Sequence, residues 1–372
     1  MKNAKNLSKS FDLGTAAVAF LIGFGTQVVF QFILSLFSLP AKTLTWIVVV
    51  ANQVIFFAVA LIFCLVPKRK VDPLAVTGAK QPPKWYFFPI CILMAISCVT
   101  CFGPLSGLFA RLLGKLGYNH TPQYFIPRDN AGLFALAFFA LTLLPVLGEE
   151  FMVRGVLMSG AKKKSPLFAI FYTALIFALM HGNLNQLIHQ FLLGIIMGYV
   201  AYLTGGIYAS AMIHMTNNAM AMLLDYGFAN NFVNHKFYYY IAGELGAVPT
   251  LVGVSLSFFA LAMFLVLFTC LYHRNRARVK DFVPVLSFEE AEKESVPLED
   301  AEEEEAPVKI GVRDRITAYL LFLSTPTVAA EEQARAEQNS KKAMDGNTRL
   351  LVIVLAAVLG AIVLLSLIPG GK

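Results

Sequence analysis

Apolar runs of about 20 residues recur along the chain, and each is long enough to cross a lipid bilayer as a helix. Hydrophobic residues make up 57% of the 372 residues and charged residues only 14%, a more apolar composition than soluble domains have. The runs are continuous rather than alternating, so they favour membrane helices over a transmembrane β-barrel. We therefore predict an all-α polytopic membrane protein.

The apolar runs predict nine helices, the last of which lies apart from the others. The predicted ranges are 12–37, 44–66, 85–109, 131–160, 165–182, 185–203, 206–225, 249–272 and 349–367. The stretch between the last two is highly acidic from Glu289 to Glu305, which is typical of a disordered segment. We therefore expect a membrane core at 1–272, a cytoplasmic linker at 273–348 and a C-terminal transmembrane helix at 349–367.

Basic residues cluster in alternate loops between the predicted helices, and this pattern sets the expected orientation. The clusters are Lys2, Lys5 and Lys9; Lys68, Arg69, Lys70, Lys80 and Lys84; Lys162, Lys163 and Lys164; and Arg274, Arg276, Arg278 and Lys280. Cytoplasmic loops carry an excess of Lys and Arg, so we expect a cell-membrane protein with a cytoplasmic N-terminus. The net charge of +7 then reflects topology, and no nucleic-acid partner is expected. The acidic linker is a candidate surface for a protein partner.

Ionisable and polar side chains interrupt the apolar helices at a few positions, most densely in GEEFMVRG at 148–155. A charge at the centre of a membrane helix costs about 3 kcal/mol, so such residues indicate function. The candidates are Glu149, Glu150, Arg154, His181, His214 and Asn218. The helical rise places Glu149, His181 and Asn218 about 20, 24 and 18 Å from the cytoplasmic helix ends. His214 lies about 12 Å deep, so we predict that these groups meet in one intramembrane cavity.

Glu150 and Arg154 are four residues apart in the predicted fourth helix, a spacing that allows an ion pair. In a regular α-helix Glu149 points about 100° away from Glu150. We therefore predict that Glu150 and Arg154 neutralise each other, while Glu149 faces the cavity. A buried carboxylate near histidines suits the work of a general base.

Hydrolysis is the chemistry that these residue types favour. Glu149 would take a proton from water, and His214 and Asn218 would donate hydrogen bonds to the developing oxyanion. His181 would hold the water or pass a proton to the leaving amine. Two histidines and a carboxylate also match a zinc site, but they come from three helices and lack HExxH spacing. Metal-free and metal-assisted catalysis both stay open, and no cofactor or metal ligand is assigned.

Three motifs at these positions resemble those of the type II CAAX prenyl endopeptidases, a family of CAAX proteases and bacteriocin-processing membrane proteins. EExxxR is Glu149–Arg154, FxxxH is Phe177–His181 and HxxxN is His214–Asn218. The resemblance covers roughly residues 85–225, with the motifs inside 131–225. It implies an eight-helix membrane core, to which the last apolar run adds a ninth helix. It also implies that Glu149 activates water, that His181, His214 and Asn218 complete the site, and that Glu150 and Arg154 support it.

The expected function is an intramembrane endopeptidase that acts on a membrane-associated or lipidated peptide or protein. The alternative is a non-catalytic membrane scaffold or bacteriocin-immunity factor of the same fold. A small-molecule transporter that uses the buried charges is a third hypothesis. Loss of Glu149 would abolish the first function and leave a scaffold intact.

Overall fold

The computed structural model describes residues 11–66, 71–79, 82–118, 127–162 and 164–276. These residues form helices and no strand, which confirms the all-α prediction. The helices are α1 Leu13–Ser35, α2 Ala41–Leu65, α3 Pro73–Val76, α4 Phe87–Lys115, α5 Ala131–Ala161, α6 Pro166–Leu179, α7 Leu184–Thr204, α8 Tyr208–Ala229, α9 His235–Ile241 and α10 Ala247–Arg276. The predicted C-terminal helix at 349–367 and nearly all of the predicted linker lie outside the described residues.

Six of the described helices are long and apolar enough to cross a membrane: α1, α2, α4, α5, α7 and α10. Their outer faces expose large apolar side chains, such as Phe32, Val54 and Phe258, as expected of surfaces that face lipid. The predicted helices at 165–182 and 206–225 correspond to α6, which is apolar but has only 14 residues, and to α8, which carries several polar side chains. The chain is a polytopic membrane protein.

Polar residues in the short loops define where the helices begin. Asp12, Asn130, Ser165 and Asn183 each accept a hydrogen bond from a backbone N–H in the first turn of α1, α5, α6 and α7, respectively. These caps satisfy N–H groups that have no partner within the helix. Gly205 ends α7 with φ of 68°, a conformation that glycine adopts without strain. The helix ends near the site therefore lie close to the predicted ones.

Helix α5 departs from the regular α-helix that was predicted at 131–160. It is α-helical over Ala131–Pro145, becomes a π-helix over Val146–Leu157 and returns to α over Met158–Ala161. Pro145 has no N–H for the α-helical bond to the carbonyl of Leu141, and its ring crowds that carbonyl. A π-helix, closed by i→i+5 bonds, is one way to accommodate this defect. The expectation of a regular helix through the EExxxR motif is therefore wrong.

Close helix packing holds α6 and α7 together beside the π-helical segment. A Cβ atom on Gly194 would lie 3.0 Å from the Cα atom of Ala174, and one on Gly198 would lie 3.4 Å from the carbonyl oxygen of Ile170. Small residues at this interface let the two backbones approach each other. The hairpin thus presents the end of α6, where the FxxxH motif lies, to the centre of the bundle.

Candidate active site

The π-helical segment of α5 brings the EExxxR motif into the centre of the helix bundle. All of its residues from Gly148 to Leu157 are buried, including both glutamates and the arginine. It packs against α1, α2, α6 and α8. Because π-helical turns recur at functional sites, this buried and charged π-helix is the strongest candidate in the described structure for a catalytic centre.

Glu150 and Arg154 form the ion pair that their spacing allows. The Nη1 atom of Arg154 donates to Oε1 of Glu150 at 2.9 Å, and both side chains are fully buried. The guanidinium carbon of Arg154 lies 4.3 Å from the ring centroid of Phe177. Nε and Nη2 of Arg154 find no hydrogen-bond acceptor among the described residues. The aromatic face therefore supplies part of what stabilises this buried cation.

His214 of α8 lies between the two adjacent glutamates. Its Nδ1 atom is 2.9 Å from Oε1 of Glu150, and its Nε2 atom is 3.7 Å from Oε2 of Glu149. An ionised carboxylate only accepts hydrogen bonds, so Nδ1 of His214 carries the proton. Nε2 then faces Glu149, as an acceptor in the neutral ring or as a donor in the imidazolium. Glu150, which was expected to pair with Arg154, thus also fixes the tautomer of His214.

Glu149 is held by a residue that sequence reasoning missed. Nε2 of Gln53, on α2, donates to Oε1 of Glu149 at 2.8 Å. The other carboxylate oxygen, Oε2, is buried and has no hydrogen-bond partner within the described structure. Glu149 is 9% exposed, so an uncompensated acceptor sits inside the bundle beside His214. The available signal was a pair of amide side chains, Asn52 and Gln53, inside the otherwise largely apolar run at 44–66.

His181 lies just beyond the end of α6 rather than inside the helix predicted at 165–182. Its Nδ1 atom bonds to the carbonyl oxygen of Phe177 at 2.7 Å, and so carries the proton. The Phe177 ring contacts both histidines, with centroid distances of 4.9 Å to His181 and 5.5 Å to His214. Phe177 is fully buried, and it joins the histidines of the second and third motifs.

Asn218, one turn after His214 on α8, contacts a different part of the site. Its Nδ2 atom donates to the carbonyl oxygen of Leu141 at 3.2 Å, the carbonyl that Pro145 leaves without its α-helical partner. Its Oδ1 accepts from Nδ2 of Asn217 at 3.3 Å, and Oδ1 of Asn217 bonds to Nε2 of His189 at 2.9 Å. A chain of hydrogen bonds thus links α7, α8 and the α-helical part of α5 just before the π-helix.

Metal binding was left open by the sequence. Across the described residues, no group of three or more His, Cys, Asp or Glu side chains is arranged to hold a metal ion. Nδ1 of His214 is engaged with Glu150 and Nδ1 of His181 with Phe177, which leaves Nε2 as the available nitrogen of each ring. The sequence left metal-free and metal-assisted catalysis open, and the chemistry below uses the protein's own groups.

The fold and this buried cluster define a multi-pass helical membrane protein whose candidate catalytic groups lie inside the bundle. Residues 131–220 match the sequence model of the family described as type II CAAX prenyl endopeptidase Rce1-like. The matched range contains all three motifs, and it confirms the resemblance inferred from them. At the level of the family, the match supports a membrane protease that acts on a peptide or protein. A search of curated proteins and a search of solved structures each gave no match.

Proposed function

We propose that the protein is an intramembrane endopeptidase in which Glu149 activates water to hydrolyse a peptide bond. The observation that carries the proposal is the state of the Glu149 carboxylate. One oxygen is held by Gln53 at 2.8 Å, and the other is buried, unpaired among the described residues and 3.7 Å from Nε2 of His214. A fixed carboxylate with one free oxygen beside a histidine is what a general base requires.

In the proposed reaction, Oε2 of Glu149 accepts a proton from water as the water oxygen attacks the carbonyl carbon of the scissile bond. The carbon–oxygen π electrons move onto the carbonyl oxygen and give a tetrahedral oxyanion. The oxyanion then collapses, the carbon–nitrogen bond breaks, and the proton held by Glu149 passes to the leaving amine. Atoms and charges balance without an external acid, oxidant or metal.

The remaining site residues have supporting or complementary roles in this proposal. Asn218 has a second amide hydrogen besides the one given to Leu141, and this hydrogen would stabilise the oxyanion. His214, whose tautomer Glu150 fixes, would donate through Nε2 when it is doubly protonated. His181 presents Nε2 as an acceptor, which suits it to hold the water or to relay the proton to the amine. The side-chain amide of Asn218 is a neutral hydrogen-bond donor, so its ability to donate does not depend on pH.

The substrate that we propose is a membrane-associated or lipidated peptide or protein. The site lies within apolar helices, so a substrate that partitions into the bilayer reaches it at a high local concentration. The matched family is described by its action on prenylated CAAX substrates, which agrees with a lipid-anchored peptide. We also propose a cell-membrane location with a cytoplasmic N-terminus, on the basis of the basic loops. A reporter fused after Asp12 and one inserted at Glu244 should then report opposite sides.

The test is a comparison of peptide termini in cells that carry wild type, Glu149→Gln or Glu244→Gln. Glutamine keeps the shape of the Glu149 side chain and removes the base, so the termini produced by wild type should disappear. Glu244 is exposed and lies between α9 and α10, so the same substitution there should leave the termini unchanged. If the three profiles are identical, the protein is a scaffold or immunity factor rather than a protease.

A further inference from the structure

Helix α2 brings a single amide side chain to the centre of the site. Gln53 donates from Nε2 to Oε1 of Glu149 across 96 positions of sequence. Its own Oε1 is buried and makes no hydrogen bond within the described part of the chain. The contact with Glu149 is therefore what fixes the orientation of this amide.

The backbone around Glu149 is shaped to admit Gln53. A Cβ atom on Gly148 would lie 2.5 Å from Oε1 of Gln53 and 2.7 Å from its carbonyl oxygen. No side chain fits at position 148 unless α2 moves away. The residue before the proposed base is thus a glycine because α2 approaches α5 closely at this point.

An amide is chemically suited to a carboxylate that gains and loses a proton. When Glu149 is ionised, the N–H of Gln53 donates to it and stabilises the negative charge in a site with little water. When Glu149 is protonated, the amide can rotate so that Oε1 of Gln53 accepts from the acid. A lysine or arginine at position 53 could hydrogen-bond only to the ionised form of Glu149, and a leucine could hydrogen-bond to neither form.

We propose that Gln53 is a positioning residue for the reaction: it holds one oxygen of Glu149 so that the other, Oε2, faces His214 and the water. This inference rests on the proposed function, because it assigns Gln53 to the same site. Gln53 acts through Glu149 and does not itself exchange a proton with the substrate. It adds α2 to the helices that build the active site.

The closing experiment compares Gln53→Met with Gln27→Met. Methionine is close to glutamine in length and lacks the donor. Gln27 lies on α1, is 5% exposed and donates a hydrogen bond to the carbonyl oxygen of Asn52 at 2.8 Å. Its substitution therefore removes a similar side-chain amide hydrogen bond near the site and leaves Glu149 untouched. We expect Gln53→Met to lower kcat about 10- to 100-fold with little change in KM. This range is the expected effect of losing one hydrogen bond to a charged group. Gln27→Met should keep the wild-type kcat.

A second measurement needs no substrate. The infrared carboxylate band of Glu149 is identified in the purified protein as the band that Glu149→Gln removes. It should shift in Gln53→Met and in Gly148→Ala, where the added methyl group displaces Gln53, and it should stay in place in Gln27→Met. An unshifted band in Gln53→Met, or a wild-type kcat, overturns the positioning role even where Glu149→Gln abolishes cleavage. If Glu149→Gln itself leaves cleavage intact, the proposed function fails, and a shifted band still establishes the contact.

Discussion

Removal of the Arg154 guanidinium should destabilise the protein more than removal of any surface arginine. Arg154 and Glu150 are fully buried and 2.9 Å apart, and Glu149 lies on the same π-helical segment. In Arg154→Met, the Glu150 carboxylate keeps its bond to His214 but loses its cationic partner. Breaking a buried pair by removing one member costs about 3–5 kcal/mol, because the other charge is left uncompensated. Arg154→Lys keeps the charge but loses the planar contact with Phe177, and should cost about 1–2 kcal/mol.

The assay is reversible unfolding in mixed detergent micelles, followed by circular dichroism. The matched control is Arg128→Met. Arg128 also binds a carboxylate, through Nη2 at 2.6 Å from Oδ1 of Asp225, but its side chain is 60% exposed. The bond to Asp225 raises the pKa of Arg128, so this arginine stays charged throughout the usable pH range. An exposed pair of this kind contributes about 0.2–1 kcal/mol.

A double variant separates lost charge compensation from lost packing. Glu150→Gln removes the charge that Arg154→Met would strand, and its amide oxygen can still accept from Nδ1 of His214. The free energy of unfolding of Glu150→Gln/Arg154→Met should therefore exceed that of Arg154→Met by at least about 1 kcal/mol. The reasoning is refuted if Arg154→Met unfolds within about 0.5 kcal/mol of wild type. It is equally refuted if the double variant is the less stable of the two.

Three further outcomes are expected. His189→Phe removes the hydrogen bond to Asn217, which in turn donates to Asn218. It should reduce kcat about 3- to 10-fold, the effect of losing one neutral hydrogen bond. An unchanged kcat would show that this chain of hydrogen bonds does not contribute to catalysis. Burial lowers the pKa of Lys162 to about 8, so this amine should become reactive near pH 8. Acetylation followed by mass spectrometry across pH checks this, and a lack of labelling below pH 10 contradicts it. Because the folded-state pKa lies below the usual value for lysine, the same group should make stability rise with pH above about 8. A strong chelator should leave Glu149-dependent cleavage unchanged, and loss of cleavage that zinc restores would show that a metal is required.

The parts of the site that sequence predicts are those governed by local spacing. The i, i+4 rule predicted that Glu150 and Arg154 can pair, and the structure forms this bond. Depth along the helices led to the prediction that Glu149 and His214 share one cavity, and their side chains approach to 3.7 Å. The catalytic roles carried over from the motifs stay predictions, because contacts show position and not turnover.

The parts that sequence does not predict depend on defects and on distant contacts. Pro145 signals a disturbed helix, yet sequence does not tell whether the chain kinks, breaks or widens there into a π-helix. His181 was expected inside a helix, but α6 ends at Leu179 and the following turn includes Gly182 with φ of 61°. Gln53 reaches Glu149 from another helix, and an amide in an apolar run is more often a packing contact between helices.

The two adjacent glutamates have different partners, and this difference supports the roles proposed for them. An opposite charge favours the ionised form of a carboxylate, so a proton on Glu150 would weaken its bond to Arg154 and release Nδ1 of His214. Among the described residues, the hydrogen bond that holds Glu149 comes from the neutral amide of Gln53, and no arginine forms an ion pair with Glu149. This contrast supports the proposal that Glu149, and not Glu150, takes the proton from water. Glu150 has a separate proposed role, because it keeps Arg154 compensated and its bond to Nδ1 leaves Nε2 of His214 facing Glu149.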